Sequence, residues 1–267
     1  MFGAIIGDIV GSRFEFRNRK SKDFQLFEQR CKPTDDSVMT LAVAMALMEA
    51  GEDAEALSGA AVQWMRQIGQ QYPKCGFGGR FFDWIFFADP PKPYGSYGNG
   101  AAMRISPVGF YARSEDEVKR LSRAVTAVSH NHPESFKGAE ATAMAIYLAR
   151  GGADKAAIRE RIERDYYQID FTLDEIRPTY RFDVSCQGSV PQALEAFFES
   201  ESFEDAIRGA VSIGGDSDTI AAITGGIAEA YYGVPEELVR AAERFLDDSQ
   251  RDIVNLWREF MEQREKK

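Results

Sequence analysis

Thr34-Asp35-Asp36-Ser37-Val38-Met39-Thr40-Leu41-Ala42-Val43-Ala44-Met45-Ala46-Leu47-Met48-Glu49-Ala50 leads up to Gly51. Val38, Leu41, Ala42, Met45 and Met48 follow the i, i+3, i+4, i+7 spacing of one helix face, and Gly51 is a stop. The same period returns over 54–68, 114–128, 138–149, 155–165, 190–199, 203–213 and 217–231. Ser114 to Glu117 has the form of a capping box, and Val118, Leu121, Val125 and Val128 are the stripe behind it. Gly233-Val234-Pro235-Glu236-Glu237 reads as a stop followed by a start, with Pro at the first helical position. A last amphipathic helix carries Ile253, Val254, Trp257, Phe260 and Met261. No run of four to eight residues alternates strictly, and nothing alternates strand with helix. The expected fold is all-α.

Two stretches break the helical pattern, 72–109 and 171–188. Both are rich in Gly and Pro but dotted with aromatics, unlike linkers. There is no internal repeat. With 267 residues the chain can bury a large core, and one domain spanning 1–267 is the expectation. Lys and Arg number 32 against 42 Asp and Glu, a formal charge of −10. That balance disfavours a stable nucleic-acid partner or an anionic membrane, so a phosphate-bearing ligand would need local donors or cations. Cys31, Cys75 and Cys186 are odd in number and lack a CxxC pair, which argues against a disulfide framework and a thiolate zinc site. The first residues carry no basic region and reach Asp8 early, unlike a signal peptide. No apolar run has the length of a membrane span. The expected compartment is the cytoplasm.

Thr34-Asp35-Asp36 precedes an apolar helix and has an ordinary reading as a cap. Gly214-Gly215-Asp216-Ser217-Asp218-Thr219 stands before another apolar helix, and here two carboxylates exceed what a cap needs. Four aspartates and two threonines from two helix starts would make an oxygen cage for hard divalent cations. In Gly3-Ala4-Ile5-Ile6-Gly7-Asp8-Ile9-Val10-Gly11, glycines four apart read as close helix packing. Asp8 and Glu15 interrupt that apolar stretch as surface acids or satisfied buried ones. Arg13, Arg17 and Arg19 surround Glu15, a setting that suits a movable loop as well as a surface ion pair. Tyr94-Gly95-Ser96-Tyr97-Gly98-Asn99-Gly100 is a Gly-rich loop able to present N–H groups to a phosphate, or a plain turn. Ser129-His130-Asn131-His132 holds both histidines, too few for zinc.

These five segments, in this order across nearly the whole chain, resemble the ADP-ribosylglycohydrolase family. Thr34-Asp35-Asp36 and Asp216-Ser217-Asp218-Thr219 are the most specific elements. Gly7-Asp8 with Glu15, and Gly98-Asn99-Gly100 with Met103-Arg104, support them. The resemblance implies a compact orthogonal helical bundle with long irregular loops around a binuclear Mg²⁺ or Mn²⁺ site. It implies metal ligands at Thr34, Asp35, Asp36, Asp216, Asp218 and Thr219, with Glu15 and Asp216 in catalysis. Ser96, Tyr97, Gly98, Asn99 and His130 would contact the substrate. The activity implied is hydrolysis of the ribosyl C1″ bond of an ADP-ribosylated protein, nucleic acid or small molecule, releasing ADP-ribose. A two-metal phosphoesterase and a non-catalytic ADP-ribose binder are the competing readings. Phe81, Phe82, Trp84, Phe86 and Phe87 make 75–93 unusually aromatic, a departure from the arginine- and serine-directed members that leaves the acceptor open.

Overall fold

The computed structural model describes residues 1–266. Among them every regular element is a helix: α1 Phe2–Gly11, α2 Asp35–Ala50, α3 Ala54–Gly69, α4 Gly79–Phe86, α5 Gly100–Met103, α6 Ser106–Tyr111, α7 Glu115–Ala127, α8 Pro133–Arg150, α9 Lys155–Asp165, α10 Leu173–Ile176, α11 Cys186–Phe198, α12 Phe203–Ser212, α13 Ser217–Tyr232, α14 Glu236–Glu243 and α15 Asp248–Glu265. The stretch 72–109, expected to be irregular, contains α4, α5 and most of α6. Each is eight residues or fewer, too short for its period to stand out between glycines and prolines. The stretch 171–188 likewise holds α10 and the start of α11. Gly98 and Ser185 form an isolated antiparallel bridge that joins the two irregular stretches.

The caps explain several boundaries. Ser114 Oγ accepts from Glu117 N, but the Glu117 carboxylate reaches back to Arg113 N, so the box closes one residue earlier than its pattern suggests. His132 is the N-cap of α8, with Pro133 at N1 and Nδ1 accepting from Glu134 N at 3.1 Å. Structure, not metal, accounts for that histidine.

The centre of the molecule is α13, buried from Ser217 to Ala228, with α1, α8, α11 and α12 packed around it. A helix enclosed on all sides needs apolar residues on every face, and from Ile220 to Ala228 only Thr224 departs from that. Its closest neighbour is α1, also buried throughout. Gly3, Gly7 and Gly11 face Gly225, Ala221 and Ser217, so backbone lies directly on backbone. A β-carbon on Gly7 would fall within the Ala221 carbonyl, and one on Gly3 within that of Gly225. α2 lies beside α1 and is covered by α3, α6 and α15. No helix of the described residues is long and apolar enough to cross a membrane.

This contact yields a paired test. Gly7→Ala should destabilise by about 3 kcal/mol or more, since neither backbone can give way without moving a core helix. Gly59→Ala lies in mid-α3, exposed, with nothing within 4 Å of the added carbon. It should stabilise by about 0.5–1 kcal/mol. Thermal unfolding followed by circular dichroism measures both, and equal melting points for the two variants would refute the packing account.

Candidate active site

The two aspartate motifs meet because α1 lies between their helices. Asp8, in the last turn of α1, is fully buried. Its Oδ2 accepts from Thr34 N at 2.8 Å, Ser37 N at 3.0 Å and the Ser37 hydroxyl, and its Oδ1 from Thr34 Oγ1 at 2.7 Å. It thus caps α2 from outside and fixes Thr34. Gly11, one turn on, sits against the backbone of Ser217 and Asp218.

The cap reading holds at α2, with Thr34 at the N-cap and Asp35 and Asp36 in the first turn, but not at Asp216. Thr34, not Asp35 or Asp36, accepts from the α2 N-terminus, through Asp36 N at 3.3 Å. Asp216 is the N-cap residue of α13 but makes no side-chain cap bond. Asp36, Asp216 and Asp218 are all buried, and of the three only Asp218 accepts from a helix-start N–H, that of Thr219 at 3.1 Å. Oxygens of Asp8, Asp36 and Asp218 lie within 4.8 Å of one another, as do oxygens of Glu15, Asp216 and Asp218. Asp35 stands on the same cavity wall, beside Gly76. Thr219 Oγ1 donates to Asp36 Oδ2 at 3.3 Å, while Asp36 Oδ1 is buried with no hydrogen-bond partner. An orphaned carboxylate oxygen among carboxylates and hydroxyls fits a hard divalent cation.

The electrostatics agree. Burial foremost, then repulsion from neighbouring carboxylates, raises Asp36 and Asp218 well above the ordinary range. Burial with the charges of Asp218 and Asp8 brings Asp35 to about 8. Burial raises Asp216 only to about 6, because hydrogen bonding with Asp218 and a bond from Asn99 Nδ2 to its Oδ2 at 2.7 Å oppose it. Glu15, half-buried, is pushed up to about 7 by burial and by Asp218, with Lys32 opposing.

The cavity that contains these groups measures about 510 Å³. Of the residues expected to contact substrate, Ser96, Gly98, Asn99 and His130 line it. Tyr97 does not: its side chain is exposed, edge-on to His132 at 5.4 Å. The glycine loop also differs from a simple N–H cradle. Gly98 N donates to Ser96 Oγ at 3.1 Å and Asn99 N to Val184 O at 2.8 Å. Asn99 turns its amide to Ser189 and Asp216. Side chains on this wall that can donate to an anion include Ser96, Arg80 and His130.

Of the aromatic run in 75–93, only Phe81 lines the cavity; Trp84 is buried and Phe87 faces solvent. The aromatics at the mouth are instead Phe16 and Phe182, stacked with ring centres 6.1 Å apart and both exposed. Neither stood out in the sequence, since a lone Phe in a polar loop carries no period. Asn18 was also missed. Its Oδ1 accepts from Gly215 N at 2.9 Å and its Nδ2 donates to Glu15 O at 2.9 Å, so it fastens the Glu15 segment to the turn ahead of Asp216. That turn needs Gly214 and Gly215, with φ of +70° and +77°.

The arrangement defines a class: an α-helical protein with a carboxylate centre at two helix starts and a donor-lined cavity beside it. The ADP-ribosylglycohydrolase family profile matches residues 1–267, and the chain belongs to that family, whose named members are enzymes acting on glycosidic bonds. The chain is 27% identical to the ADP-ribosylarginine hydrolase Tri1 of Pseudomonas putida, over 88% of this chain and 70% of that one. It is 26% identical to the ADP-ribosyl-[dinitrogen reductase] glycohydrolase of Rhodospirillum rubrum (88% and 84%) and 24% to ADP-ribosylhydrolase ARH3 of Bos taurus (91% and 87%). A solved structure titled ADP-ribosylglycohydrolase-related protein complex superposes with a TM-score of 0.68, at 24% identity, over 96% of this chain and 95% of that one, and shares the fold.

The raised carboxyls carry a testable sign. A carboxyl whose folded pKa exceeds its unfolded value stabilises the fold below the unfolded pKa and loses that contribution as pH rises through the folded one. Without a cation, the melting temperature should therefore fall as pH rises through the values of Asp216, Glu15 and Asp35, about 6, 7 and 8. Millimolar Mg²⁺ should flatten that fall and raise the melting temperature at pH 8 by mass action. Scanning calorimetry at several pH values, with Mg²⁺ or with chelator, measures it; identical profiles would show that no cation neutralises the cluster.

Proposed function

We propose that this chain, as a single domain over 1–267, hydrolyses the ribosyl C1″ bond of an ADP-ribosylated substrate with the help of two divalent cations. The observation that carries the reading is the carboxylate cluster: buried acids converging from two helix starts, one with an oxygen left unpaired, with Glu15 at their edge. Thr34, Asp35, Asp36, Asp216, Asp218 and Thr219 would hold the cations, Mg²⁺ or Mn²⁺. When bound, such ions acidify water and orient hydroxyls.

The protein's own groups do the rest. Glu15, with a pKa near the working pH, accepts the proton of the attacking water. The water oxygen bonds to C1″ as the glycosidic bond breaks, its electron pair leaving with the acceptor, which then takes up a proton. The state between is oxocarbenium-like. Asn99 holds Asp216 in place. Asn18 holds the Glu15 segment at its backbone while leaving the carboxylate free. Side-chain donors on the wall from Ser96 to His130 meet the diphosphate. The relatives named above act on ADP-ribosylarginine and on ADP-ribosylated dinitrogen reductase. For this chain the substrate class is an ADP-ribosylated protein, nucleic acid or small molecule, acted on in the cytoplasm. A two-metal phosphoesterase would share the carboxylates but would give Glu15 no C1″ to serve.

The test is release of free ADP-ribose from ADP-ribosylated arginine and serine substrates, with Mg²⁺ or EDTA. Glu15→Gln should lower kcat by about 10²–10⁴-fold while ADP-ribose affinity changes little. Asp218→Ala should abolish turnover with the helical circular dichroism intact. Full activity in EDTA, or an unchanged kcat in Glu15→Gln, would reject the mechanism.

A further inference from the structure

Arg104 heads the fully buried side chains by size, and no carboxylate pairs with it among the described residues. Burying an unpaired guanidinium is costly, and a cost borne on a cavity wall calls for a use. Its Nη2 donates to Ser129 Oγ at 2.7 Å and more weakly to Val125 O at 3.4 Å. Its charge lies 5.4 Å from the Phe81 ring centre. Ser129 Oγ in turn lies 2.8 Å from His130 Nδ1.

The donor count fixes the protons. A guanidinium only donates, so Ser129 Oγ must accept from it. Ser129 is fully buried, and the described residues offer its hydroxyl hydrogen no acceptor other than His130 Nδ1. Nδ1 is therefore bare, and a neutral His130 carries its hydrogen on Nε2. That atom has no protein partner. It lies along the glycine loop, where a β-carbon on Gly100 would be 3.2 Å away. Because Gly98 N and Asn99 N already have acceptors, a side-chain donor here matters to an anion.

We propose that Ser129 and Arg104 are positioning residues that lock His130 in the Nε2–H tautomer and so set a fixed hydrogen-bond donor for an anionic, phosphate-bearing ligand in the cavity. Ser129 sets the tautomer; Arg104 occupies the Ser129 lone pair and keeps the hydroxyl turned to the ring. The ligand rests on the function proposed above; the tautomer does not.

The chain contains only two histidines, so a ¹⁵N-histidine spectrum resolves His130 against His132. In the wild-type protein without ligand, His130 should show Nε2 protonated and Nδ1 bare. Ser129→Ala should populate the second tautomer and weaken ADP-ribose binding, measured by calorimetry, about ten-fold, the loss of one hydrogen bond to a charged acceptor. Ser129→Thr, which keeps the hydroxyl, should restore both. Arg104→Met should act in the same direction; if that variant does not fold, Ser129→Ala decides. If wild type binds ADP-ribose but His130 carries its proton on Nδ1, or Ser129→Ala leaves affinity unchanged, the positioning role is wrong while the proposed function stands. If wild type fails to bind ADP-ribose, both fall.

Discussion

Everything at the carboxylate centre depends on how closely α1 approaches α13. Three glycines on one face let the two backbones touch, and the approach continues to Gly11, against the first residues of α13. That places Asp8 within reach of the start of α2, where it binds the N–H groups and hydroxyls of Thr34 and Ser37. The N-termini of α2 and α13 are thereby brought to one point. Helix N-termini carry partial positive charge, which eases the burial of anions there. The field of two such ends offsets part of the repulsion among the acids; a cation fitting the orphaned Asp36 oxygen would offset more.

The fold was legible where a period could be counted. The long helices carry stripes over ten or more residues, and a cap and a stop fall where they were read, at Ser114 and Gly51. The short helices α4, α5 and α6 were not, because four to eight residues between glycines and prolines do not establish a period. The glycines of α1 were readable as a packing face, but the partner helix was not: only the fold pairs residue 7 with residue 221.

The site divides the same way. Paired aspartates announced themselves by exceeding the needs of a cap; in the structure Asp216 stands at the N-cap of α13 but makes no side-chain cap bond. Asp8 was ambiguous, because a surface acid and a buried, satisfied one look alike in a sequence. Asn99 shows what a motif hides. It lies in a loop that reads as a phosphate cradle, yet its side chain is spent on Asp216 and its N–H on Val184. Asn18, Phe16 and Phe182 had no signal, since their roles arise from contacts across more than 160 residues of chain.

An acidic chain that takes an anionic ligand must concentrate its positive charge. The formal charge is −10, and the carboxylates crowd one part of the cavity. Arg104 supplies a buried cation behind the glycine loop, where its charge is not screened by salt as a surface charge would be. The same charge disfavours an imidazolium at His130, whose pKa burial already holds well below the ordinary value. A neutral ring with one fixed hydrogen then offers a directed donor that does not titrate with the carboxylates. Under the proposed mechanism, ligand binding on that wall would be separated from the proton chemistry at Glu15, so a base tuned near neutrality could change its protonation during turnover without loosening the grip on the ligand.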